Sequence, residues 1–131
     1  MAGVPLQRIL LADDEPDILE IARIALSTLG GYEVAACDSG LGFLDLLPEF
    51  RPDLVLVDVL MPELGGVELV QRMRKLPGGD EVPVVFLTGL VLDHELQKLR
   101  EAGAIDIITK PFDPMTLAAR IAGIWDQRHG C

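Results

Sequence analysis

Five short apolar runs alternate along the chain with longer segments of helical periodicity. They are "RILLA" (8–12), "YEVAAC" (32–37), "DLVLVD" (53–58), "VPVVFLT" (82–88) and "AIDIIT" (104–109). Each has strand length, and each is nearly continuous in Val, Ile, Leu or Ala rather than alternating with polar residues. Strands covered on both faces carry that pattern. Between them, apolar residues recur every three or four positions. "PDILEIARIALSTLGG" sets Ile18, Ile21, Ala22, Ala25 and Leu29 on one helical stripe, with Pro16 in the first turn and Gly30 at the stop. "SGLGFLDLLPEF" follows a Ser39 cap, although Gly40 and Gly42 weaken it as a helix. "GVELVQRMRKL" and "DHELQKLREAG" come next, and "DPMTLAARIAGIWDQR" closes the series with an Asp113 cap and a Leu117, Ile121, Trp125 stripe. This alternation predicts an α/β fold, a doubly wound five-stranded parallel sheet whose right-handed crossovers place helices on both faces. In such open sheets ligands bind beyond the carboxyl ends of the strands, near a topological switch point.

The strand ends hold the unusual chemistry. The first apolar run stops at Asp13, Asp14 and Glu15, more acid than a helix cap needs. The third ends in Asp58, followed by "VLMPELGG"; the fourth in Thr88 and Gly89; the fifth in Lys110, Pro111 and Phe112. Singly, each has an ordinary explanation. Asp13 or Asp14 could cap the helix that opens near Pro16, Asp58 could form a turn, and Thr88 could bond its hydroxyl to backbone. Lys110 could be a solvated lysine, Pro111 an ordinary trans proline, and Glu15 a first-turn partner of the helix dipole. Together they bring carboxylates, a hydroxyl and an ammonium to one rim. Clustered carboxylates repel unless a cation sits among them, and oxygen-only ligation suits a hard ion such as Mg²⁺.

Size and charge narrow the function. At 131 residues the chain is read as one domain with one substantial core. A formal net charge of −10 disfavours direct binding to nucleic acid or an anionic membrane. No apolar run reaches membrane-span length, and "MAGVPLQR" lacks the features of a signal peptide. Cys37 and Cys131 form no C-x-x-C pair and match no zinc spacing, and Cys37 reads as a buried core thiol. A reducing cytoplasm fits these features. "LPGGDE" (76–81) reads as a surface turn, because a strand pattern resumes directly after it.

The segments "LLADDEPD", "LVLVDVLMPELGG", "VVFLTG" and "ITKPF", in that order and at these spacings, resemble the receiver domains of two-component response regulators. The resemblance covers Arg8 to about Arg128, and "DxxMPxxxG" (Asp58, Met61, Pro62, Gly66) is its most specific piece. It implies a single receiver domain over 1–131 with a core of about 6–128, a flavodoxin-like sheet and strand order 2-1-3-4-5. It also implies roles. Asp58 would accept a phosphoryl group, and Asp13, Asp14, Asp58 and the backbone carbonyl of Leu60 would hold Mg²⁺. Lys110 would pair with Asp58 at rest and with a phosphoryl oxygen afterwards. Thr88 would swing its hydroxyl toward another phosphoryl oxygen, and Pro111, cis as in the family, would aim Lys110 inward.

The donor implied is a histidine kinase or a histidine phosphotransfer protein, docking near helix one and the loop after strand five. Helix four, strand five and helix five would form the output face for an effector or a second copy, drawing on His94, Gln97, Lys98, Glu101, Ile105, Ile107 and residues of "RIAGIWDQR". Such a chain is a phosphoacceptor that labels itself once, not a multiple-turnover enzyme. An enzyme of the same layering is disfavoured, because "ADDEPD" would repel a cofactor phosphate and the nucleophile lies on the third strand, not in a D-x-D after the first. A degenerate receiver that binds partners without phosphorylation is the alternative. The chain is either a stand-alone regulator or a receiver from a longer protein.

Two departures from the family pattern matter. Ile107 stands where receivers usually carry a Tyr or Phe switch, so an aromatic rotamer change is replaced by some other surface change. Leu60 and Leu90 occupy the two places whose side chains influence attack of water on the acyl phosphate, and neither offers it a hydrogen bond. Slow self-dephosphorylation is therefore expected; decay of the phosphorylated protein with Mg²⁺ present measures it, and a lifetime of seconds contradicts it.

Overall fold

The computed structural model describes residues 5–89 and 93–129. Five strands alternate with five helices. They run β1 (Arg8–Ala12), α1 (Pro16–Ile24), β2 (Glu33–Cys37), α2 (Gly40–Phe50), β3 (Leu54–Asp58), α3 (Gly66–Met73), β4 (Val84–Thr88), α4 (Asp93–Glu101), β5 (Ala104–Thr109) and α5 (Leu117–His129). All pairings are parallel, and the sheet order is β2-β1-β3-β4-β5. The expected doubly wound sheet is present, with the chain reversing direction across the sheet between β1 and β3.

Strand residues point alternately to two cores. Leu10, Ala12, Val55, Val57, Val84 and Phe86 pack with Phe43, Leu47, Leu69, Met73 and Leu99 of α2, α3 and α4. Ile9, Leu11, Leu54, Leu56, Val85 and Leu87 pack instead with Ala22 of α1, Leu26 beyond it, and Leu117, Ile121 and Trp125 of α5. Burying both sides of a strand removes any place for polar alternation, which is why β3 and β4 read as unbroken apolar runs. The edge strands β2 and β5 are only partly covered along most of their length.

Caps and turns follow local chemistry. Ser39 Oγ accepts the Gly42 N–H at 3.1 Å and opens α2, despite the glycines. The Asp113 carboxylate accepts the Met115 N–H at 2.9 Å and folds the turn that leads into α5, which begins at Leu117 rather than directly after the cap. The 76–81 turn is tied down by Arg74, whose Nη1 donates to the carbonyls of Gly79 at 3.1 Å and Val82 at 2.6 Å. On β5 the Ile107 N–H donates to Asp106 Oδ1 at 2.7 Å, and the Ile107 carbonyl accepts from Arg120 Nη2 at 3.1 Å.

The first helical stripe differs from its sequence expectation. Ala22 and Ala25 are buried as expected, but Ile21 and Leu29 are 41% and 52% exposed, and the fully buried residue is Leu26. Residues Ala25–Leu29 form a π-helical segment, closed by the Gly30 N–H bonding to the Ala25 carbonyl five residues back at 3.2 Å. A wider turn advances less per residue, so Leu29 falls short of the buried side that an unbroken α-helix would give it. Leu26→Ala should cost about 2 to 5 kcal/mol and Leu29→Ala less than about 1 kcal/mol. Urea denaturation compares them, and equal losses would return Leu29 to the core.

Candidate functional site

Four of the five strand ends, those of β1, β3, β4 and β5, deliver polar groups to the same rim. Asp13 follows β1 directly, and its N–H still donates to the Cys37 carbonyl of β2 at 3.2 Å. Its side chain then turns the chain, Oδ1 accepting the Glu15 N–H at 2.9 Å. The capping role open to Asp13 or Asp14 is therefore not taken up. Glu15 holds the N-cap position with no side-chain cap bond, and Pro16 opens the helix without needing an acceptor. Asp58 ends β3, with Oδ1 accepting the Leu60 N–H at 3.3 Å. Gly66 lets α3 start against that strand end: a Cβ there would lie 2.5 Å from the Asp58 carbonyl, so only glycine fits. Thr88 ends β4, is 5% exposed, and accepts the Lys110 N–H on its carbonyl at 2.8 Å. Lys110 follows β5, and the Lys110–Pro111 peptide is cis.

The side chains converge. Lys110 Nζ lies 2.8 Å from Asp13 Oδ2, 3.2 Å from Glu15 Oε1 and 3.3 Å from Asp58 Oδ2. Carboxylate oxygens of Asp13, Asp14 and Asp58 lie within 4.8 Å of one another. Asp13 and Asp58 are buried, at 1% and 3% exposure, whereas Asp14 is partly open to solvent. Burial, then the charge of Asp13, push the Asp58 carboxyl up to about 6, against the opposing pull of Lys110 and the Leu60 N–H. Burial also works against the Lys110 ammonium, but its hydrogen bond to Asp13 and the charges of Asp13 and Asp58, aided by Glu15, outweigh it and raise its pKa. One ammonium faces more negative charge than it balances. A cluster of three carboxylates with no nitrogen or sulfur donor is the ligand set that a hard divalent cation accepts.

All the strand-end residues are thus brought to one rim. Leu60 also stands there and is 77% exposed, but Leu90 lies outside the described residues. Ile107 is half-buried against the core cluster that contains Leu99 of α4, so it is partly covered rather than freely displayed. His94, Gln97, Lys98 and Glu101 are exposed along α4. The reach of Glu15 to Lys110, across 95 residues of sequence, departs from the expectation of a dipole partner. The unbroken run of three acids was its signal.

Comparison with known proteins agrees with this geometry. The family model described as the response regulator receiver domain matches residues 9–122. An uncharacterized 14.6 kDa protein of Leptolyngbya boryana is 37% identical over 109 residues, covering 83% of this chain and 82% of that protein. The DNA-binding response regulator MtrA of Mycolicibacterium smegmatis is 36% identical over 115 residues, 88% of this chain but 49% of the relative. A probable cyclic di-GMP phosphodiesterase of Vibrio cholerae is 35% identical over 86% of this chain and only 25% of its own length. The chain therefore spans half or less of these last two relatives. Among solved structures, the chemotaxis protein CheY4 of Vibrio cholerae superposes with a TM-score of 0.85 at 28% identity, covering 92% of this chain and 99% of that one.

The raised Asp58 pKa has a stability consequence. A carboxyl whose folded pKa lies above its unfolded value of 3.8 supports folding below that value and loses its contribution as pH rises through about 6. With divalent metal chelated near pH 8, Asp58→Asn should therefore stabilise the fold by about 1 to 3 kcal/mol, and by about half as much near pH 5. Thermal denaturation in EDTA at both pH values tests this; a variant less stable than wild type near pH 8 contradicts it.

Proposed function

The chain belongs to the response regulator receiver domains, and from that premise we propose that Asp58 accepts a phosphoryl group from a histidine kinase or a histidine phosphotransfer protein in a Mg²⁺-dependent reaction. The carrying observation is Lys110 Nζ held between Asp13 Oδ2 and Asp58 Oδ2, at 2.8 and 3.3 Å, beside the three-carboxylate cluster.

Asp13, Asp14, Asp58 and the Leu60 carbonyl would hold the ion. When bound, Mg²⁺ supplies the positive charge that lets a dianionic phosphoryl group approach this acidic rim. An Asp58 carboxylate oxygen attacks phosphorus, the bond from phosphorus to the donor nitrogen breaks, and its electron pair returns to the departing imidazole. Burial keeps the Asp58 carboxylate sparingly hydrated, so little solvent must be stripped from it before attack. Lys110 is already in place to follow the new charge, moving from a carboxylate oxygen to a phosphoryl oxygen. Thr88, buried at the adjoining strand end, offers its hydroxyl to another phosphoryl oxygen and transmits that shift toward α4.

The output runs through α4, β5 and α5 to an effector or a second copy of the chain. With Ile107 half-buried under α4, the switch is a change in how α4 covers that residue, not an aromatic rotation. We read 1–131 as one such domain that acts on partners in the cytoplasm, labels itself once and does not turn over substrate. No helix among the described residues is long and apolar enough to cross a membrane. The net charge of −10 argues against direct contact with nucleic acid, so control of DNA would need a partner or another domain.

Acetyl phosphate with Mg²⁺ should add one phosphoryl mass to the wild type and none to Asp58→Ala. Intact-mass measurement decides it, and labelling of the Ala variant, or none of the wild type, overturns the assignment of Asp58.

A further inference from the structure

Among the acids around Lys110, one stands apart. Asp13 and Asp58 side chains are 2% and 4% exposed, whereas Glu15 is 60% exposed and lies outside the three-carboxylate cluster. Its backbone is fixed on both sides: the N–H is held by Asp13 Oδ1 at 2.9 Å, and the carbonyl accepts the Leu19 N–H at 3.0 Å to start α1. Its carboxylate consequently stands at the solvent mouth of the site, reaching the same ammonium that touches Asp58. Divalent metal would neutralise charge deep in the cluster but would leave this outer charge in the path of anything entering.

Resting on the phosphoacceptor role of Asp58, we propose that Glu15 is a specificity-determining residue, an anionic gate that selects phosphoryl donors by charge. Its carboxylate slows small dianionic donors that arrive from solution. A donor carrying less net negative charge, or phosphohistidine on a protein that covers the mouth and brings its own charges, is penalised less. Glu15 acts on the approach of the donor, through its charge at the mouth; it takes no part in bond exchange.

Two small donors that transfer the same group separate this from a structural role. With acetyl phosphate, a dianion near neutral pH, the phosphorus–oxygen bond breaks and acetate leaves with the electron pair. With phosphoramidate, a net monoanion whose nitrogen already carries its protons, the phosphorus–nitrogen bond breaks and ammonia leaves. At saturating Mg²⁺ and low salt, Glu15→Gln should speed labelling by acetyl phosphate about three- to tenfold and by phosphoramidate less than about twofold. Glu15→Asp, which keeps the charge but shortens the reach, should stay near wild type with acetyl phosphate. Raising salt to about 0.5 M should shrink the Gln effect. Equal acceleration of both donors, no acceleration of either, or an Asp variant that behaves like Gln overturns the gate while leaving Asp58 as acceptor. Failure of both donors to label wild-type Asp58 overturns the acceptor role and the gate with it.

Discussion

A single ammonium group holds the acidic rim together. Lys110 Nζ sits among oxygens of Asp13, Glu15 and Asp58, at 2.8, 3.2 and 3.3 Å, and at least two of those acids are buried. Without it, carboxylates from β1 and β3 would face each other in a poorly hydrated space, where like charges repel strongly and each loses its solvation. The lysine can serve because its own strand, β5, runs parallel beside β4 and brings it to the same end of the sheet. Sheet topology and site electrostatics are therefore one problem. The order β2-β1-β3-β4-β5 brings β1 and β3 together, so their terminal acids meet although 45 residues separate Asp13 from Asp58.

The two cores make that rim rigid. Every residue of β3 and β4 is buried, so Asp58 and Thr88 project from the best-packed strands of the molecule. Gly66 adds a close approach between α3 and the end of β3 that fixes the loop carrying Leu60. Leu60 itself is left largely uncovered on that loop. Asp58 is thus held firmly while the loop beside it stays open to solvent.

Much of this could be read from the residues alone. Unbroken apolar strands specified a sheet covered on both faces, and the polar groups at their ends specified which edge to inspect. Structure and sequence part where geometry departs from an ideal period. Leu29 keeps α-helical spacing from Ala22 and Ala25, yet the π-helical segment turns it outward, and apolar periodicity carries no mark of that change. Strands β2, β3 and β4 begin one or two residues later than the runs at 32–37, 53–58 and 82–88. Glu15 departs from its expectation for a different cause. Its partner lies 95 residues away, and a local rule about helix dipoles explained it adequately without one. Cys37 proved to be half-buried, since β2 is an edge strand and cannot give its residues the cover that β3 enjoys.

Asp106 and Arg120 set the character of the β5 edge. An open sheet margin is a template on which further chains can be added, one ladder at a time. At the middle of β5 both main-chain groups of Ile107 are already occupied, the N–H by Asp106 and the carbonyl by Arg120. A visiting strand would find those positions taken. Neither group is left for the ladder that an added strand would need at that point.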